Sequence, residues 1–404
     1  MPNVNNMDIV NASTTLNQII GIATGQEVNS QVDASELISV GSKLLKTKFN
    51  DFVTAMSEVM SRTIFKVERP YRRKFQNIVK TSERWGNHER RVGMISREVI
   101  GDGQFDGQPW EDANMFNIAP VDEVIQSNYY GKDTMEITYK TYRNQLDTAL
   151  ENINAFNSYY AMQMRTVNND WEQATENHSR LALLNMIVGI VAGGSPFQKI
   201  NLLKEYNNKT GENLTMATVY KPENYPNFIK FAYARIKTYM QFMTDRTINF
   251  HTQFVDGDGD KIAFRRATPL EFQHLYMLTG EWEEITNRVL TDTFNEQFLN
   301  SLNFEKVNYW QTMESPDEIN IKATYLTPQQ TITTTGNTNI MDGKHVIAVC
   351  LDDETVGMNL FDEWAASSPF EAHKGFVNTC LHAQMRYWNS FEDNAIVFYI
   401  ADEA

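Results

Sequence analysis

GKDTMEITYKTYRNQLDTALENINAFNSYYAMQMRTVNNDWEQATENHSRLALLNMIVG, residues 131–189, carries neither glycine nor proline between its two ends. Its opening alternates, with Met135, Ile137 and Tyr139 on one side and Glu136, Thr138 and Lys140 on the other, the period of a half-buried strand. From about Gln145 the spacing becomes helical, with Leu146, Ala149, Leu150, Ile153 and Phe156 on one stripe. A helix from there to Val188 would run on the order of 65 Å at about 1.5 Å per residue, longer than most globular helices. Its acidic residues Asp147, Glu151, Asp170, Glu172 and Glu176 are scattered and read as a solvated face. The most apolar run, LALLNMIVGIVAG at 181–193, is shorter than the roughly 20 residues of a membrane span and reads as the helix's buried end. Gly193-Gly194-Ser195-Pro196 reads as its cap and stop.

Upstream, residues 1–32 are rich in Asn, Ser and Thr around a short apolar patch (Leu16, Ile19, Ile20, Ile22), and helix-like pieces follow near 36–45 and 49–60. This describes an amphipathic arm. Between Lys66 and Glu98 ten basic residues face four acidic ones, a net +6 that leaves −21 for the remainder of a chain of net charge −15. Such a segment reads either as a solvated charged arm or as an element that docks on acidic surface. GDGQFDGQPW at 101–110 then crowds glycines and a proline as at the tip of an excursion. Outbound strand, tip and a return through VIQSNYYGKDTMEITYKTY at 124–142, which includes the alternating Met135, Ile137 and Tyr139, predict an extended two-stranded flap.

Downstream, residues 220–365 read as an α+β lobe. A helix near 227–243 carries the stripe Ile229, Ala232, Ile236, Tyr239 and Met240, with Met240 and Met243 as core filler, and HVIAVCLDD at 345–353 reads as a strand. FVDGDGDKIAFRRATP at 254–269 poses a choice between a calcium loop and a tight turn. Asp256, Asp258 and Asp260 fill the first three ligand positions, but Lys261 stands where the loop needs glycine and Ala267 where it needs a bidentate glutamate. The alternation of Ile248, Phe250, Thr252 and Phe254, and of Ile262 and Phe264, predicts a hairpin instead. Thr268-Pro269-Leu270-Glu271 then predicts a capped helix ending near Gly280. TPQQTITTTGNTN at 327–339 reads as a mobile polar loop, and the closing segment as two strands around a turn at 389–394.

Little in the chain suggests chemistry. The histidines show no helical i, i+4 pair and none beside a cysteine at ligand spacing, and no phosphate loop, nucleophile elbow or dinucleotide fingerprint occurs. Glu281, Glu283 and Glu284 crowd Trp282 without an acid–base arrangement. No catalytic residue, metal or cofactor is predicted. Two cysteines and a start without signal-peptide character predict a reducing cytoplasm, and the acidic balance argues against a general nucleic-acid binder. With 404 residues at 42% hydrophobic, the chain can bury a sizeable core in two or more lobes.

DIVNA (8–12), NDFVTAMSEVMSRTIFKV (50–67), GKDTMEITYKTY (131–142), KIAFRRATPLEF (261–272) and WNSFEDNAIVFYI (388–400), in that order, resemble tailed-phage major capsid proteins of the Hong Kong 97 fold. They are most similar to those of small short-tailed phages (podoviruses) of the phi-twenty-nine and picovirus type. The resemblance implies an α+β capsid fold with an N-terminal arm (1–64), an E-loop (65–132), a P-domain with a long spine helix (133–215), an A-domain (216–365) and C-terminal strands returning to the P-domain (366–404). It implies a non-enzymatic shell subunit without cofactors that forms hexamers and pentamers around double-stranded DNA without sequence-specific binding and without a membrane. A scaffolding protein and a portal are the implied partners, and the expected location is the virion, assembled in the host cytoplasm. Because the chain stops at Ala404, no appended immunoglobulin-like decoration domain is expected. Arg72, Arg73, Lys74, Arg90, Arg91 and Trp110 are the expected contacts to acidic residues of a neighbouring copy. Alternatives are another virion binding or decoration protein, a cellular nanocompartment shell of the same fold, and a hydrolase built on scattered carboxylates.

Overall fold

A computed structural model of the chain describes residues 74–81, 88–95, 124–130, 133–149, 153–262, 264–286, 303–336 and 340–402. The expected arm and the flap's tip lie outside that set, within residues 1–73 and 96–123, while Ala267, the calcium loop's twelfth position, is within it.

Among the described residues a first sheet takes four strands in the order β1 (Val79–Thr81), β11 (Val356–Ser367), β12 (Phe376–Asn389), β4 (Asp133–Tyr142). β1 runs parallel to β11 and the other pairs are antiparallel. Behind β4 come α1 (Arg143–Ala149) and the long helix α2 (Ile153–Gly193), 41 residues against the predicted end at Val188. One face of α2 buries Val167, Trp171, Leu183, Met186, Ile187 and Ile190 against Met135, Met358, Leu381, Ala383 and Met385 of the sheet. Thr175 and Ser179 stand on that face too, and their hydroxyls donate to the carbonyls four residues back, Trp171 at 2.9 Å and Thr175 at 2.9 Å, so small polar groups are buried satisfied. Glycines let rings close on the helix end: a Cβ at Gly189 would lie 2.7 Å from the Phe391 ring and one at Gly193 2.5 Å from Tyr325. The Gly194 N–H then bonds the Ile190 carbonyl at 2.7 Å, and Ser195-Pro196 opens a new turn, as the cap-and-stop pattern predicts.

A second sheet orders β5 (Lys199–Asn201), β13 (Ala395–Ile400), β10 (His345–Asp352), β6 (Gln273–Leu278), β7 (Asn303–Val307). Helix α3 (Leu202–Thr210), the short α4 (Met216–Val219) and α5 (Tyr225–Phe242) cover it, with Ile229, Ala232, Ile236, Tyr239 and Met240 all in the core as their spacing predicts. The two closing strands therefore serve different sheets. Between them the turn at 390–394 is buried throughout, with Ser390 and Asn394 each 1% exposed, and its backbone is met by Thr355, Thr252 and Asp352. A boundary between 365 and 366 would fall inside β11.

Three expectations need correction. No helix follows Thr268: a short 3-10 turn, Leu270–Phe272, leads directly into β6, all six residues of which are buried, and α6 begins only at Thr279 (Thr279–Ile285). The cap residue is used elsewhere, since the Thr268 hydroxyl donates to Asp352 at 2.6 Å. The DGDGD stretch is a tight turn, with Gly259 at φ 91 and Asp256 Oδ1 accepting the N–H groups of Asp258 and Asp260, but among the described residues only isolated bridges flank it and no hairpin ladder forms. Finally, Glu172 and Glu176 are 1% and 9% exposed, so the acids of α2 are not all solvated; Asp147 and Asp170 are. The polar 327–339 stretch supplies the turn and the second strand of a short hairpin, β9 (Ile332–Thr334), which pairs with β8 (Thr324–Leu326) just before it.

Candidate functional site

The predicted flap is present as a two-stranded ribbon, β2 (His88–Met94) antiparallel to β3 (Val124–Tyr130), and it leaves the body beside the buried turn at 390–394. Alternation gives the ribbon two faces. Arg91, Ile125, Ser127 and Tyr129 turn toward the body, while Arg90, Val92, Met94 and Val124 are exposed. Gly93 allows close approach, since a Cβ there would lie 2.8 Å from the Phe264 ring.

Arg91 is the pivot of the inner face. Its guanidinium lies 5.6 Å from the Tyr129 ring centre and 5.4 Å from that of Trp388, donates to the Glu354 carbonyl at 3.2 Å, and stands 3.6 Å from the Asp393 carboxylate. Arg266 reaches Asp393 from the other side at 3.4 Å. Ser127 donates to Glu392. Burial, and then the charge of Asp393, push the Glu392 carboxyl up to about 7, an effect that Arg266 and Arg91 only partly offset. Burial likewise pushes the Tyr129 hydroxyl up to about 12, so it stays neutral. Beyond this base a cleft of about 530 Å³ separates β3 from β8 and β9. The ribbon is thus held by a charged root, with the cleft on its β3 side.

Trp388 completes the root by lying across the bare backbone of Gly357, its cross-strand partner, where a Cβ would come within 2.0 Å of the indole. Gly357→Ala is expected to push the ring off Arg91 and destabilise the chain by about 1–3 kcal/mol. Urea unfolding with Trp fluorescence checks it, and an unchanged midpoint would show that the ring is free to move.

A second knot fixes the chain's approach to β1. Phe75, fully buried at φ 60, donates its N–H to Glu305, and the Lys74 N–H reaches Glu176 at 3.4 Å. Burial lowers the Lys74 ammonium although Glu176 opposes that shift. The expected contact residues therefore divide. Lys74 and Arg91 are engaged by their own chain, Arg90 is exposed on the ribbon, and Arg72, Arg73 and Trp110 lie outside the described residues.

The calcium candidates do not converge. Among the described residues the ligand-type side chains that meet within 4.8 Å of one another are Glu136, Cys380 and His382. The sequence reading placed no histidine beside a cysteine at ligand spacing; Cys380-Leu381-His382 does so once it is known to be a strand, because residues two apart share a face. Glu281 accepts a hydrogen bond from Tyr225 and its carboxyl is raised by burial, while Glu283 pairs with Lys306 at 2.6 Å; both are explained as structural partners. No helix among the described residues is long and apolar enough to cross a membrane.

No protein-family model matches the chain, and no curated protein matches it. Solved structures do. A chain in the capsid structure of Staphylococcus phage Andhra is similar with a TM-score of 0.52 at 8% identity, over 83% of this chain and 86% of that one. A chain in the structure of the head fiber and inner core protein gp22 of native bacteriophage P68 is similar with a TM-score of 0.50 at 10% identity, over 84% and 86%. At such identities the likeness is one of fold, and this chain has the mixed helix-and-sheet fold of chains in phage capsid and head structures.

Proposed function

We propose that the chain is a major capsid protein of the Hong Kong 97 fold, close to those of small short-tailed phages, that self-assembles through hexamers and pentamers into the icosahedral head shell around double-stranded DNA. The shared fold carries the reading. The ribbon gives it a physical reason: an isolated two-stranded ribbon is marginal in water, and Val92, Met94 and Val124 are 52%, 59% and 53% exposed on its outer face. Buried on another copy, that face becomes binding surface. Residues 1–64 would be the arm, 65–132 the E-loop, 133–215 the P-domain with α2 as spine, 216–365 the A-domain and 366–404 the returning strands. A net charge of −15 suits a wall that encloses DNA without holding it. A scaffolding protein and a portal are the partners such a shell takes in the host cytoplasm.

Docking of the ribbon would use Arg72, Arg73, Arg90 and Trp110 together with the apolar stripe, whereas Arg91 holds its root and Lys74 is engaged at the entry of β1. Electron microscopy of the purified chain, alone and with a co-expressed scaffolding protein, is expected to show closed shells or hexamer and pentamer rings. A monomer under both conditions would overturn the reading in favour of a particle-binding protein. Reversing Arg72, Arg73 and Arg90 to Glu is expected to abolish shells while leaving the circular dichroism unchanged. Normal shells from that variant would remove charge docking from the account.

A further inference from the structure

The first sheet's outward face carries a side-chain cluster for which the shell reading has no use. Along β12, Thr379, Leu381 and Ala383 are buried toward α2, while Asn378, Cys380, His382 and Gln384 alternate onto the opposite, partly exposed face. β4 lies alongside with Glu136 opposite His382 and Thr138 opposite Cys380. The ladder thus brings a thiol, an imidazole and a carboxylate together, all three ligand atoms within 4.8 Å of one another and His382 Nδ1 4.0 Å from Glu136 Oε2. Ligands of a tetrahedral zinc ion, bonded at about 2.0–2.3 Å, sit roughly 3.3–3.8 Å apart, a closure within reach of small side-chain rotations.

The surroundings already orient these groups. Trp364 of β11, the cross-strand partner of His382 on its other side, stacks on the imidazole at 5.0 Å and 19° and fixes the ring plane. The Thr138 hydroxyl lies 2.8 Å from Glu136 Oε1 and 3.5 Å from Cys380 Sγ, the placement of an outer partner that steers ligands. A mixed sulfur, nitrogen and oxygen set suits zinc; calcium and magnesium take oxygen ligands, and copper(I) favours softer sets.

We propose that Cys380, His382 and Glu136 bind a zinc ion on this face, with water in the fourth position. On binding, the Cys380 thiol loses its proton to solvent and the thiolate takes its place on the metal. His382 coordinates through the Nδ1 lone pair of the neutral ring, with its proton on Nε2.

The test uses the full chain without a histidine tag, and its readouts are independent of whether shells form. Zinc is expected to bind at one equivalent and to slow iodoacetamide alkylation of Cys380 at least about tenfold, with the fully buried Cys350 as an internal control. Cobalt(II) should give a thiolate-to-metal charge-transfer band that Cys380→Ser abolishes. His382→Gln and Glu136→Gln should each weaken zinc binding about tenfold or more. These side chains stand on an open face, and the unsubstituted chain's cobalt spectrum and alkylation rate decide the matter should a variant misfold. Absence of the charge-transfer band, or equal zinc protection of Cys380 with His382→Gln in place, would overturn the site.

Discussion

Replacing Arg180 with methionine is expected to lower the stability of the chain by about 3–5 kcal/mol, the cost of breaking a buried ion pair from one side. Arg180 is 6% exposed, lies 2.8 Å from Glu176 on the preceding turn of α2, and donates to the carbonyls of Tyr309 and, at 3.4 Å, Trp310. Its guanidinium also sits over the rings of Tyr309 at 4.1 Å and Phe75 at 5.2 Å. One side chain therefore ties the helix to the segment after β7 and to the entry of β1. Methionine keeps much of the volume but removes the guanidinium from beside the Glu176 carboxylate, which still accepts the Lys74 N–H at 3.4 Å and has Glu172 nearby in sequence and almost fully buried. A compensating Glu176→Leu should recover a large part of the loss, because well-packed apolar groups often replace buried ion pairs at little cost. Urea unfolding of both single variants and the double variant measures the coupling; equal midpoints for all of them would show that the pair contributes nothing.

Much of the architecture can be read from spacing alone, and the failures have identifiable causes. The long helix is legible because neither glycine nor proline falls between 132 and 188, and the ribbon only in part: glycines mark an excursion, but the alternating run read as part of its return, Met135, Ile137 and Tyr139, belongs to β4 of the first sheet, and the ribbon's own returning strand is β3. The burial of Glu172 and Glu176 is not legible, since acids at helical spacing look alike on a wet face and under a sheet; only the i, i+4 pairing of Glu176 with Arg180 hints at it. QHLYML failed for another reason. A cap-like Thr-Pro-Leu-Glu preceded it, and its four-residue apolar run Leu275–Leu278 has no period that separates a central strand from a helix, so the sheet decided what the local signal could not. At the flap, Arg90 and Arg91 adjoin in sequence and point to opposite faces, which only the strand's phase reveals. The Cys380–His382 pair is legible once β12 is a strand, but Glu136 enters by a cross-strand register set far away in the chain.

The flap's root should respond to pH, and Glu392→Gln should remove that response. The Glu392 carboxyl, 4% exposed and beside Asp393, is raised from its ordinary 4.5 to about 7, chiefly by burial. Below pH 4.5 it is neutral folded or unfolded and contributes no penalty. Between 4.5 and 7 the unfolded chain ionises it while the folded chain holds the proton, so stability falls as pH rises, and above 7 the full cost is on the order of 3 kcal/mol. Glutamine keeps a carbonyl oxygen for the Ser127 hydroxyl and cannot ionise. The variant is therefore expected to match the unsubstituted chain at about pH 4 and to exceed it by up to about 3 kcal/mol at pH 8, measured by urea unfolding across that range. Parallel pH profiles for the two proteins would show that Glu392 does not titrate there. The penalty falls where the ribbon is attached: Ser127 binds Glu392 directly, and Arg91 reaches the adjacent Asp393. Hydrogen exchange of β2 and β3 amides, compared between the two proteins at each pH to cancel the intrinsic chemistry, should separate with rising pH, faster in the unsubstituted chain. That would make the root looser at neutral and alkaline pH than in mild acid, at the attachment of the element proposed to dock on a neighbouring copy.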